Sequence, residues 1–130
     1  EQSYGILDRI NAGETQMIGT SGTVTTLGGL HLGLPRYNRE KVDGISMDFD
    51  TLVSHSRNLC KMNLQERASE PCIGWQRADL VLGGCAILEA ICHLWPVGSL
   101  RVADRGLREG MLMEMLQSSE AGHPLAAPLA

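Results

Sequence analysis

Met17-Ile18-Gly19-Thr20-Ser21-Gly22-Thr23-Val24-Thr25-Thr26-Leu27 decides how this chain is read. A short apolar run enters a Gly-Thr-Ser-Gly-Thr turn and leaves it with the apolar spacing of a helix. Glycines let a backbone turn sharply and approach a ligand closely. The helix that follows aims its first N–H groups and the positive end of its dipole at whatever sits in the turn. That is the layout of a phosphate or nucleotide loop, with Gly19, Thr20, Ser21, Gly22 and Thr23 as candidate contacts. The spacing is neither the dinucleotide fingerprint nor a Walker A loop, which needs Gly-Lys-Ser/Thr. A strand-to-helix turn with two glycines is also an ordinary tight turn, so its neighbours must carry the chemistry.

Working outward, Ser3 to Asn11 reads as a helix with Tyr4, Leu7 and Ile10 on one face, closed at Ala12-Gly13. Gln16 to Ile18 is a short strand, and Thr23 to Leu34 is a helix stopped by Pro35. Leu27, Leu30 and Leu34 line its inner face, and Gly28-Gly29 permits close packing. Lys41 to Met47 reads as extended. Asp48 is an N-cap for a helix from Phe49 to Lys61 with Leu52, Val53 and Leu59 inward, and Asn63 with Glu66 forms a capping pair for a short helix. Pro71 to Trp75 is a loop. Arg77 to Trp95 is the longest helix, apolar nearly all round and therefore expected to be covered on more than one side, with Asp79 near its start as a cap or dipole partner. Leu100 to Ala103 is a strand, and Asp104-Arg105-Gly106 turns into a helix from Leu107 to Gln117 with Leu112, Met115 and Leu116 inward. Residues 118–130 read as a disordered tail.

This order predicts an α/β domain with two parallel strands flanked by helices. Two strands make too small a sheet to stand alone, so the sheet is expected to be incomplete.

Composition narrows the function. The chain has 130 residues, 43% of them hydrophobic but only 4% aromatic, which predicts an aliphatic core. A formal charge of −4 argues against a dedicated nucleic-acid binder, whose face would be basic, and suits a polyanion substrate only where basic residues are focused locally or supplied by another domain. Cys60, Cys72, Cys85 and Cys92 form no CxxC pair and read as reduced thiols of a cytoplasmic protein. Cys85 and Cys92 are expected to face the core together. Histidines 31, 55, 93 and 123 show no zinc spacing, so no metal ligand set is expected. The apolar stretch from Ala78 to Trp95 contains Asp79, Glu89 and His93 and reads as a buried helix, not a membrane span.

In a parallel sheet the two strand-to-helix loops fall at one edge, where open α/β folds bind ligands. The Gly19–Thr23 loop is then the neighbour of Asp104, Arg105 and Arg108, which become candidate cleft-lining residues. Arginine suits bidentate contact with phosphate. Asp104 reads equally as an N-cap for the last helix, Arg108 reads also as an exposed side chain, and Glu109 is expected to pair locally or with another domain. Ser21 has no base placed by sequence, so no catalytic residue is assigned.

The order of motifs resembles the exopolyphosphatase / guanosine pentaphosphate phosphatase (Ppx/GppA) family. After the Gly19–Leu27 stretch come His31-Leu32-Gly33-Leu34, Tyr37-Asn38, Lys41-Val42-Asp43-Gly44 and Leu64-Gln65-Glu66-Arg67. Arg77-Ala78-Asp79-Leu80-Val81-Leu82-Gly83-Gly84 and Val102-Ala103-Asp104-Arg105-Gly106-Leu107-Arg108-Glu109-Gly110 complete the match. The resemblance implies a partial actin/Hsp70/sugar-kinase-like (ribonuclease H-like) domain, in which residues 1–117 are the C-terminal part of the second domain and the N-terminal meander is missing. It implies a parent enzyme that removes terminal phosphate from inorganic polyphosphate with Mg²⁺, or hydrolyses guanosine pentaphosphate. The family's Asp-x-Gly-Ser loop, its glutamate base and its second glycine loop have no counterpart here. The chain is therefore expected to bind no cofactor itself, to be inactive alone, and to self-associate through an uncovered sheet edge. A non-catalytic dimerising or ligand-binding half-domain is the alternative.

Overall fold

The computed structural model describes residues 2–120. Three short strands make one sheet: β1 (Met17–Gly19), β2 (Ser46–Asp48) and β3 (Ser99–Val102), in the order β1-β3-β2. β1 runs parallel to β3, with Met17 opposite Leu100 and Gly19 opposite Val102. β2 runs antiparallel on the other side, with Ser46 opposite Arg101 and Asp48 opposite Ser99. The third strand corrects the expectation of two parallel strands only. The stretch read as extended from Lys41 is split: Arg39–Val42 is a helical turn, α3, capped by Asn38, and the strand starts at Ser46. Ser-Met-Asp holds one apolar residue and so shows no period; pairing with β3 decides its state.

Side chains alternate across the sheet. Met47, Leu100 and Val102 are buried while Ser46, Asp48, Ser99 and Arg101 are exposed. The buried face meets α2 (Gly22–His31) and α4 (Phe49–Lys61), and α6 (Val81–Leu94) packs on those two helices. Leu27, Leu52, Leu59, Cys85 and Cys92 join the core, which is aliphatic as the composition required. Each such leucine contributes about 1.5–3 kcal/mol by leaving water.

Helix ends follow local chemistry. Asp48 Oδ1 accepts the Thr51 N–H at 2.7 Å, capping α4. Asn63 Oδ1 accepts the Glu66 N–H at 2.9 Å and Glu66 Oε2 accepts the Asn63 N–H at 2.7 Å, a capping box for α5 (Leu64–Ser69). α2 stops at His31, three residues short of Leu34. Gly33, at φ +59, closes it: its N–H reaches the Leu30 carbonyl and the Leu34 N–H reaches that of Gly29.

Several expectations fail at the helices. α6 begins at Val81, not Arg77, because residues 77–80 form turns; Asp79 is exposed and does not cap it. Nor is α6 covered all round: Ile87 and Leu94, seven apart, are 66% and 64% exposed, in line with Leu80 at its N-cap at 73%. In α7 (Leu107–Glu120) the residues expected inward, Leu112, Met115 and Leu116, all face solvent. α7 also runs past Gln117, and residues 121–130 of the expected tail lie outside the described residues. In α1 (Gln2–Asn11), Ile10 is buried and Leu7 exposed, while the Tyr4 side chain lies outside the described residues.

Candidate phosphate-facing edge

The parallel pairing of β1 with β3 brings the two candidate loops together. Gly19 stands opposite Val102, and the Ala103 N–H donates to the Gly19 carbonyl at 2.8 Å. Both loops leave the sheet at its C-terminal edge, as expected from the strand order.

The first loop opens α2. Ser21 Oγ accepts the Val24 N–H at 3.3 Å, and Thr25 Oγ1 donates to the Gly22 carbonyl at 3.2 Å. Ser21 is thus a helix cap, and the remaining first-turn N–H groups have no intrahelical acceptor. Beside this turn lies an open pocket of about 260 Å³, lined by Gly22, Thr23, Thr26, Arg77, Leu80 and Val81. Arg77 reaches across it: its Nη1 lies 3.4 Å from Thr26 Oγ1, and a Cβ on Gly22 would sit 3.7 Å from the same nitrogen. Thr23 is pinned from behind by α6. A Cβ on Gly84 would collide with Thr23 Oγ1 and lie 3.1 Å from both Thr23 Cβ and Cγ2. A cation over the positive end of a helix is an arrangement suited to an anion.

The second loop is a closed network. The Tyr37 hydroxyl donates to Asp104 Oδ2 at 2.6 Å. Arg39 Nε donates to the Asp104 carbonyl at 2.8 Å, its Nη2 also reaches that carbonyl, and Nε lies 3.3 Å from Asp104 Oδ2. Arg39 Nη2 also holds Glu109 Oε1 at 3.2 Å. The Asp104 N–H donates to Asp43 Oδ1 at 2.9 Å, and Asp43 Oδ2 holds Arg105 Nε at 3.4 Å. Asp104 does not cap α7; Glu109 Oε2 takes the Gly106 N–H at 2.8 Å instead. That bond first, then the residue's own N–H and Arg39, hold the Glu109 carboxyl down at about 2. Burial, followed by the bond to Asp104, pushes the Tyr37 hydroxyl up to about 12. So Asp104 and Arg105 stand at the edge, but their side chains are engaged within the protein. Arg108 is exposed and makes no ion pair among the described residues. Among those residues no group of three or more His, Cys, Asp or Glu side chains could hold a metal ion.

Sequence reasoning missed Arg77, Thr26, Tyr37 and Arg39 as members of this edge. Arg77 directly precedes an apolar run, and a helix drawn over that run takes it in. Its signal was positional: an arginine that precedes a helix cannot be assigned to that helix's buried face.

Comparison with known proteins adds the frame. No family model matches the sequence, and no curated relative matches it. Solved structures do. A Ppx/GppA family member from Aquifex aeolicus superposes with a TM-score of 0.75 at 22% identity, over 90% of this chain and 40% of that one. An exopolyphosphatase-like protein gives 0.72 at 23%, over 91% and 44%. An exopolyphosphatase from Cytophaga hutchinsonii gives 0.68 at 25%, over 88% and 38%. The chain carries the Ppx/GppA fold. It spans about 40% of the length of the Aquifex structure, so the Ppx/GppA architecture is present in part: an actin-like α/β unit with a small mixed sheet. In that Ppx/GppA frame the two loops and the Arg77 pocket share one end of the unit.

Proposed function

We propose that this chain forms one wall of the phosphate cleft of a Ppx/GppA-type phosphohydrolase, which removes terminal phosphate from inorganic polyphosphate. The observation that carries this reading is Arg77 held across the first turn of α2, at the edge where the two loops meet. Phosphoryl transfer depends on positioning and on neutralising charge on the phosphate oxygens. Arg77 and the α2 N-terminus supply positive potential, and Arg108, in the first turn of α7, adds to it. Arg105 contributes only where it leaves Asp43.

Magnesium, implied by the resemblance for the whole enzyme, does not fit the residues of this wall. Both Asp43 oxygens hold the Asp104 N–H and Arg105, Asp104 Oδ2 holds Tyr37 and Arg39, and among the described residues no group of three or more His, Cys, Asp or Glu side chains gathers to complete a ligand set. The ion and the general base belong, in this reading, to a facing wall. The chain therefore binds polyanion without cleaving it. Four free thiols fit a cytoplasmic protein, and no helix among the described residues is long and apolar enough to cross a membrane.

The test is phosphate release from long-chain polyphosphate with magnesium, run beside a full-length Ppx/GppA enzyme. Expected is binding with no turnover by this chain; turnover near the full-length rate overturns the reading. Guanosine pentaphosphate is the second substrate; polyphosphate is placed first because the stretch Ala103-Asp104-Arg105-Gly106-Leu107-Arg108-Glu109-Gly110 resembles the exopolyphosphatase branch of the family. A chain that binds neither anion is a non-catalytic half-domain.

A further inference from the structure

Arg67 is the one buried charged side chain among the described residues, at 8% exposure. It makes no ion pair with a carboxylate among them. Its guanidinium instead spans two main-chain carbonyls: Nε donates to that of Ala78 at 2.8 Å, and Nη1 to that of Met62. A buried cation without a counter-charge is costly unless its donors are used, and an apolar side chain of similar size would fill the same space. What a leucine or methionine could not do is tie those two carbonyls together. Met62 ends α4, where the helix dipole is negative. Ala78 follows Arg77 in the chain.

The turn that carries Arg77 has few other anchors. The Arg77 and Ala78 N–H groups both donate to the Gly74 carbonyl, at 3.2 and 3.1 Å, and the Val81 N–H donates to the Arg77 carbonyl at 2.8 Å. Ala78 is fully buried, whereas Arg77 is exposed and touches Thr26 only through a long 3.4 Å contact. Backbone placement, not side-chain bonding, therefore decides where the Arg77 guanidinium sits. We propose that Arg67 is a positioning residue for the anion pocket: by holding the Ala78 carbonyl against the end of α4, it fixes the turn that presents Arg77 over the first turn of α2. The planar fork of arginine can bridge both carbonyls at once; an ammonium group is a single point. This inference rests on the phosphate-facing role proposed for Arg77.

The experiment is a double-mutant cycle on the full chain with Arg67→Lys, Arg77→Ala and the pair, titrated calorimetrically with inorganic tripolyphosphate. Arg77→Ala is expected to weaken binding by about tenfold or more, the range for a lost charge-assisted bond. Arg67→Lys is expected to weaken it by about tenfold in the native background and to change nothing once Arg77 is alanine, because it acts through that side chain. An equal loss in both backgrounds, or no loss in either, overturns the proposal. Binding unaffected by Arg77→Ala removes the phosphate reading of the pocket instead. Amide exchange then judges the positioning alone. Arg67→Lys must speed exchange at Arg77, Ala78 and Val81 while Val24 and Leu27 keep their native rates; unchanged exchange at 77–81 overturns it. If Arg67→Lys fails to melt cooperatively, Arg67→Gln, which keeps donors on a shorter arm, is read by the same exchange.

Discussion

Thr23 and Gly84 meet where a methyl group does not fit. A glycine-to-alanine change inside a helix ordinarily stabilises it, by about 1 kcal/mol. At Gly84 the sign reverses, because the new carbon would press on Thr23 Cβ and Cγ2 at 3.1 Å. Gly84→Ala is expected to lower unfolding free energy by about 1–3 kcal/mol, the usual cost of overpacking. Urea melts check this, and Thr23→Ala in the same chain should recover part of the loss. Glu109 makes a second residue-scale case. Its carboxyl sits at about 2 against an ordinary 4.5, so folding favours the charged form. That stabilisation is complete above the ordinary carboxylate range and disappears as the pH falls from 4.5 towards 2. Melting temperatures at about pH 6 and about pH 3 should therefore differ less in Glu109→Gln than in the native chain. At this scale the loop from Gly19 to Thr23 was legible, because Gly, Ser and Thr announce a turn and a cap by their own chemistry. The Tyr37–Asp104 bond was not, since it joins residues 67 positions apart.

Helices were legible at their starts and much less at their faces. Asp48 and the Asn63–Glu66 box act over three residues, so the sequence contains the whole interaction. Asn63→Ala is expected to cost about 1 kcal/mol, read as a drop in melting temperature. Because α5 bears Arg67, the same change should also loosen the turn around Ala78. What a periodic stripe does not contain is its cover. Leu112, Met115 and Leu116 form such a stripe on α7, and the described residues leave it exposed. β2 was missed for the opposite reason: one apolar residue carries no period, and only β3 gives the segment its strand state.

For the molecule as a whole, exposed apolar groups gather on three elements. Ile18 at the β1 edge is 58% exposed, and the stripes of α6 and α7 lie open as well. Patches of this kind mark surfaces that associate, and a sheet edge adds unpaired backbone groups. Self-association with a second copy is expected at tens of micromolar, about the concentration at which such surfaces drive aggregation. Light scattering coupled to size exclusion checks it; a stable monomer there counts against it. Fold-level legibility came from the order of motifs along the chain. Sequence comparison finds neither a matching family model nor a matching curated relative, while the arrangement in space does find counterparts.

The strand order has a consequence for how the chain comes into being. β3 lies at the centre of the sheet, and β1 and β2 reach one another only through it. During synthesis it is also the last of the three to leave the ribosome. Neither strand pair can close until Ser99–Val102 has emerged, so α2 and α4 must wait for a floor that arrives after them.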